Sequence, residues 1–271
     1  MAGVSSTSLA AALQSLEPKL ATASIALAQE LFGILGLLDS NAGLRRALTD
    51  PARESGEKAA LVSTLIGGKV STEAESTFAS LVASRWSSAR DIGDALEVLA
   101  ATAAIAVAEG QADGSANLDK LEEELFAFIR VVGSSHDLQR ALDDAQATDE
   151  AKSALALKVL PQASAVSALL IRQAVVSPRG LKPTALVQRF VELVAKRQQR
   201  WIAFVSVTRD LSAEQLSRLQ AGLNNLYGRD LKINVNIDPT LVGGIKVTVG
   251  DEVVDATAAT RLAELRRRLA V

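Results

Sequence analysis

Lys232-Ile233-Asn234-Val235-Asn236-Ile237-Asp238-Pro239-Thr240-Leu241-Val242-Gly243-Gly244-Ile245-Lys246-Val247-Thr248-Val249-Gly250-Asp251 is the stretch where the chain stops reading as helices. Its first six residues alternate polar and apolar, the period of a half-buried strand. Asp238-Pro239 breaks that run, because proline fixes φ and has no amide to give to a ladder. Gly243-Gly244 opens a second alternating run, with Ile245, Val247 and Val249 on one face, and Gly250-Asp251 reads as the turn that ends it. Glycine at those places permits positive φ or close backbone approach. No side chain in the stretch is suited to covalent chemistry, so it reads as architecture.

Working outward, Ile202, Phe204 and Val205-Ser206-Val207 read as an earlier strand that begins near Trp201. Ser212 and Gln215 have the spacing of a capping box. Leu216, Leu219, Leu223 and Leu226 then form an apolar stripe at i, i+3, i+7 and i+10. After the turn, Leu262, Leu265 and Leu269 share one face of a final helix, with Asp255 as its expected N-cap. A βαββα unit over residues 201–271 is the expected product.

Before residue 201 the pattern is helix after helix. The chain is 48% hydrophobic but only 3% aromatic. Its abundance of Ala and Leu favours close-packed helices. Ile25, Leu31, Phe32, Leu35 and Leu38 keep to one helical face, and Thr72 with Glu75 has capping-box spacing. Helical patterns run over 72–88 and 90–109, and a polar break at 109–117 separates two halves.

Those halves repeat. Residues 44–61 align without gaps on 138–155, at an offset of 94. The identities are Leu44/Leu138, Arg46/Arg140, Ala47/Ala141, Leu48/Leu142, Asp50/Asp144, Lys58/Lys152, Ala60/Ala154 and Leu61/Leu155. Ser40 matches Ser134, and Ser88-Ala89-Arg90 and Ser177-Pro178-Arg179 occupy similar places at a shorter offset. Such agreement in polar as well as apolar positions argues for duplication of a helical bundle. The expected class is therefore mainly α with a small α/β C-terminal domain. Its parts are a first bundle at 1–110, a repeat-related bundle at 111–200 and the α/β domain at 201–271. The first helix of the second bundle is not apparent in the sequence.

Composition excludes several functions. A net charge of −2 leaves no electrostatic footprint for nucleic acid or anionic lipid. The absence of cysteine rules out disulfides and thiolate–zinc sites. No apolar run reaches the ~20 residues of a membrane span, and the amino terminus lacks the order of a secretion signal. A soluble chain is expected, with any membrane association made through a partner.

Isolated signals have ordinary explanations. His136 stands alone and reads as a surface residue. Ser55-x-x-Lys58 has the spacing of an acylating pair, but its repeat counterpart is Asp149-x-x-Lys152, so the serine is not kept. Gly67-Gly68-Lys69 and Gly243-Gly244-x-Lys246 lack phosphate-loop spacing. Glu122-Glu123-Glu124 reads as a solvated helix face. Arg266-Arg267-Arg268 reads as cations meeting the negative end of the last helix dipole. No catalytic residue, cofactor site or metal site is expected.

The run Asp238, Pro239, Leu241, Gly243, Gly244, Ile245, Val247, Val249, Gly250, Asp251, followed by Val254, Asp255, Arg261, Leu262, Leu265 and Leu269, closely resembles the end of the ATP synthase delta subunit family. The mitochondrial counterpart in that family is the oligomycin-sensitivity-conferring protein. The strand Phe204-Val205-Ser206-Val207-Thr208-Arg209 and the helix start at Leu211-Ser212 resemble the same family's lead-in. The resemblance implies a non-catalytic stator subunit of an F-type ATP synthase at the cytoplasmic face of a bacterial plasma membrane. A helical bundle would receive N-terminal helices of alpha subunits, and the C-terminal domain would meet the b-type peripheral stalk subunit. The signature residues would then be structural or stalk-facing. The second bundle copy departs from the family's usual order and resembles the long forms of actinobacteria. Two other readings compete. A nucleic-acid-binding module on the α/β unit needs a basic, aromatic-bearing sheet face, whereas this sequence offers Asn234 and Asn236 and, as aromatics, Trp201, Phe204 and Tyr227. A small-molecule enzyme needs convergent titratable groups, which the sequence does not offer.

Overall fold

Short polar residues set where the helices begin. The computed structural model describes residues 3–111, 114–199, 202–228, 231–238, 241, 243–249 and 252–257. The helical part runs α1 (Val4–Leu20), α2 (Ile25–Ser40), α3 (Ala42–Thr49), α4 (Ser55–Ile66), α5 (Thr72–Ala83), α6 (Asp91–Glu109), α7 (Gly114–Gly133), α8 (His136–Asp143), α9 (Asp149–Val159), α10 (Ala165–Val176) and α11 (Pro183–Gln198). Ser24, Asn41, Ser71, Ser135, Thr148 and Ser164 each accept an amide hydrogen bond from the residue three further on. Each such cap is worth about 1 kcal/mol.

The box expected at Thr72 and Glu75 is displaced by one residue. Ser71 is the cap, and Glu75 instead accepts from the Ser63 hydroxyl at 2.9 Å. The amide that a box glutamate would satisfy belongs to Ser71, and it donates to Glu30 of α2 at 3.1 Å. A neighbouring helix thus supplies the acceptor that the sequence reading looked for within α5.

The second copy repeats this arrangement. Glu124 of α7 accepts from the Ser164 amide at 3.0 Å and the Ser164 hydroxyl at 2.7 Å. Glu124 is therefore not part of a solvated face: its side chain is only 11% exposed. Other bonds recur at the same offset. Arg45 donates to the Leu38 and Asp39 carbonyls, as Gln139 does to Val132 and Gly133. Asp50 accepts from the Ala52 amide, as Asp144 does from Gln146. Duplication is therefore visible in the hydrogen bonds as well as in the residue types.

The helix missing from the second copy is α6. In the first copy α1 packs on α5 and α6; in the second, α6 packs on α7 and α10. The same α6 closes the first copy against α2. Serving both, it is buried on nearly every side, and Ala95, Ala100, Ala101, Ala103, Ala104, Ala106 and Ala108 let neighbouring backbones approach closely. A helix apolar all round belongs in a core. The repeat boundary near residue 110 lies between α6 and α7, whereas packing makes Met1–Val194 one compact unit and Ala195–Val271 the other.

The second unit contains β1 (Ile202–Val207), α12 (Ala213–Tyr227), β2 (Lys232–Ile237), β3 (Gly244–Val249) and β4 (Glu252–Thr257). Sheet order is β2-β1-β3-β4, with β1 and β2 parallel and the other pairs antiparallel. Ser212 and Gln215 form the expected reciprocal box at the start of α12. Ala203, Val205, Val207, Val247 and Val249 bury one sheet face against Leu219, Leu223 and Tyr227. The stripe ends on Tyr227, and Leu226 is exposed instead. The mainly α class with a small α/β domain holds, with one correction in detail. Asp255 does not cap a helix but stands within β4, opposite Lys246 of β3. Strand pairing to β3 outweighed the local capping signal. The expected final helix, with Leu262, Leu265 and Leu269, lies outside the described residues.

Candidate interaction sites

The signature motif gathers at one end of the sheet. Asp238 follows β2, and its amide donates to the Val207 carbonyl at 2.8 Å, where β1 ends. The Leu241 amide donates back to Asp238 at 3.3 Å, which folds the connection toward β3. Gly243 and Gly244 have φ of 129° and 84°, conformations that side chains strain. Ile245 pairs with Val207 and packs on the core. Asp238, Leu241, Gly243, Gly244 and Ile245 thus gather at the corner where β1 and β2 end and β3 begins. Asp255 lies on β4 opposite Lys246, one residue along β3 from that corner. Gly250, Asp251, Arg261, Leu262, Leu265 and Leu269 fall outside the described residues.

The opposite sheet face carries exposed side chains among the described residues. Phe204 is exposed and stands in one row with Asn234, Thr248 and Val253. Of the three aromatics weighed for base stacking, Tyr227 packs on the core and Trp201 lies outside the described residues. Lys246 on this face is opposed by Asp255. Among the described residues, one exposed aromatic and a lysine opposite a carboxylate make a poor platform for nucleic acid.

A second cluster was missed in the sequence. Arg179, in the α10–α11 connection, reaches across to the first copy. Its guanidinium lies 2.7 Å from Asp39, 2.9 Å from Asp94 and 3.7 Å from Glu97, and its side chain is only 9% exposed. Arg90 donates to the Arg179 carbonyl at 2.9 Å. Arg179 has φ of 51°, a strained value for a side-chain-bearing residue. Gly93 makes room for it, since a Cβ there would stand 2.6 Å from the guanidinium. The available signal was the recurrence of Ser88-Ala89-Arg90 at Ser177-Pro178-Arg179. It showed that the two arginines correspond, but not that one reaches the other copy's carboxylates.

Burial raises the Glu97 pKa above its ordinary 4.5, against the pull of Arg179. Burial also works against the charge on Arg179, but Glu97, Asp39 and Asp94 together raise its pKa. For Glu97 the native state holds more protons than the unfolded chain between 4.5 and the raised value. Its stabilising contribution is thus complete below 4.5 and is lost as pH rises through the folded pKa. Urea unfolding of Glu97→Gln should therefore gain on the native chain as pH rises from about 4 to 8. Parallel curves would contradict this. Among the described residues no group of three or more His, Cys, Asp or Glu could hold a metal ion, and no helix is long and apolar enough to cross a membrane.

Residues 100–269 match the family model described as ATP synthase delta (OSCP) subunit. Over the full length of both chains, the protein is 62% identical to ATP synthase subunit delta of Pseudarthrobacter chlorophenolicus. The chain belongs to the ATP synthase delta (OSCP) subunit family. Other full-length relatives are the delta subunits of Renibacterium salmoninarum, at 58% identity, and Thermobifida fusca, at 40%. The delta-family match begins inside α6, the helix that opens the second copy. Relatives aligned over 100% of both chains show that the delta subunits of these organisms share the long form.

Proposed function

We propose that this chain is a non-catalytic stator subunit of an F-type, proton-translocating ATP synthase. Its helical unit receives the N-terminal helices of alpha subunits of the catalytic head. Its C-terminal unit, with the Asp238–Ile245 corner, meets the b-type peripheral stalk subunit. It acts at the cytoplasmic face of the bacterial plasma membrane, held there by the complex. The joint keeps the head from turning with the rotor, so that proton flow yields ATP.

Full-length identity of 62% to a protein named ATP synthase subunit delta carries this reading. The architecture supports it. Apolar-faced helices bind partner helices through anchors at i, i+3 or i+4, and i+7. A pseudo-repeated core with an ion-paired clasp resists twisting between its halves better than two bundles on a linker.

Membranes stripped of the subunit test the proposal. Added back, the purified chain should restore proton-driven ATP synthesis while the head's ATP hydrolysis rate stays unchanged. Restoration without it, or hydrolysis that depends on it, would overturn the stator role.

A further inference from the structure

The two copies differ in charge where α3 and α8 begin. Arg45 and Arg46 of α3 align on Gln139 and Arg140 of α8 at the offset of 94. Arg45 donates to the Leu38 and Asp39 carbonyls, and the neutral amide of Gln139 does the same for Val132 and Gly133. This bond therefore needs no cation at position 45. Arg140 has the Asp137 carboxylate at 3.9 Å, whereas the residue in that place beside Arg46 is Gly43. Arg46 is exposed and makes no ion pair with a described residue. The first copy thus carries positive charge that the second copy's version of the same turn does without.

That charge borders a hollow of about 520 Å³ between the copies. Arg45 and Arg46 of α3, Arg90 just before α6 and Arg179 before α11 line it, with Asp39 as the one lining carboxylate. Asp39 is taken by Arg179 at 2.7 Å, with Arg45 at 3.9 Å. Arg90 has Asp94 at 4.0 Å, but Arg179 already holds that carboxylate at 2.9 Å. Positive charge is left over at Arg46 and Arg90, both exposed, in a chain whose net charge is −2. The wall formed by the α10–α11 connection is also strained. Arg179 and Gly180 hold successive φ values of 51° and 83°, and such strain gathers at ligand sites.

We propose that this hollow binds a small, multiply charged phosphate compound, with Arg46 and Arg90 as its main donors. Guanidinium forks recognise phosphate oxygens in pairs. Here they come from different elements, α3 and the turn before α6, which suits a tetrahedral group with acceptors in several directions better than a planar carboxylate. The apolar lining is Ala42 and Ala89, with no ring for a base to stack on, so the phosphate is what the site reads. Its volume falls within the usual range of small-molecule sites. Because the lining comes from both copies, a bound anion adds a second tie beside the Arg179 clasp. The stability of the helical unit then rises with the concentration of the ligand.

The test uses the isolated full chain, so that no other subunit supplies a phosphate site. Calorimetric titration with pyrophosphate, at ionic strength matched with sodium chloride to hold screening constant, should show saturable binding and a raised unfolding temperature. Arg46→Gln should weaken that binding by about tenfold or more, as loss of a hydrogen bond to a charged group does. Without pyrophosphate it should unfold at the native temperature, since Arg46 holds no other described group. Arg140→Gln, the equivalent change in the second copy, should bind as the native chain does. No binding at millimolar pyrophosphate, native affinity in Arg46→Gln, or equal weakening in Arg140→Gln overturns the proposal. Flotation with vesicles of phosphatidylglycerol in phosphatidylcholine separates a free phosphate from a lipid headgroup. No association that depends on Arg46 is expected, and such association would overturn the assignment to a free compound. None of these outcomes touches the stator reading, which rests on reconstitution of ATP synthesis.

Discussion

Arg179→Ala should lower the stability of the helical unit by about 3–5 kcal/mol, the range for removing one partner of a buried ion pair. The geometry explains the size. Asp39, Asp94 and Glu97 converge on one guanidinium, and the side chains of Arg179 and Glu97 are 9% and 7% exposed. Without the arginine, carboxylates from α2 and α6 face one another with no cation between them. Oε1 of Glu97 has no hydrogen-bond partner even with Arg179 in place. For a unit of this size the loss corresponds to a fall in melting temperature on the order of 10 °C, which circular dichroism at the helical band would measure. Arg179→Lys should recover only part of it, because an ammonium cannot span two carboxylates as the planar fork does. A loss below about 1 kcal/mol, the ordinary worth of an exposed pair, would show that the clasp does not hold the copies together.

Gly244→Val should disable the C-terminal unit. At φ of 84° a β-branched side chain is strained by about 1–3 kcal/mol. The strain falls where β3 enters the sheet. Gly244 pairs with Thr257 of β4, and Ile245 next to it pairs with both Val207 and Ala256. Since β3 lies between β1 and β4, a shift at its first residue disturbs both ladders. Small sheets tolerate this poorly. The variant should unfold earlier than the native chain and bind b-subunit fragments more weakly, while the head's ATP hydrolysis continues. Unchanged affinity for those fragments would remove the basis for placing the Asp238–Ile245 corner in the stalk-facing unit.

Much of this architecture was legible because its signals are local. Ser212 and Gln215 announced a helix start, and the same residues form the box in the structure. The alternation around Gly243 and Gly244 announced a strand, and β3 follows it. The repeat was legible from eight identities, because duplication leaves its trace in residue types whatever they contact. Reading failed where a distant group altered the local balance. Ser71 rather than Thr72 caps α5, since Glu30 completes the cap from another helix. Glu124 looked solvated beside Glu122 and Glu123, but it is the second copy's version of Glu30. Asp255 looked like a cap until β3 paired with the segment around it.

The sequence by itself determined the class, the duplication, and a C-terminal motif specific enough to name a family. Periodicity, capping and a conformationally demanding glycine pair act over a few residues and so are written into any window that contains them. Only the tertiary structure decided that α6 serves both copies, that Arg179 clasps them, and that Phe32 is 6% exposed while Phe126, its equivalent at the offset of 94, is 40% exposed. Those outcomes depend on which surfaces meet across roughly a hundred residues of chain, and equivalent phenylalanines in a repeat carry no local mark of which one will find a neighbour.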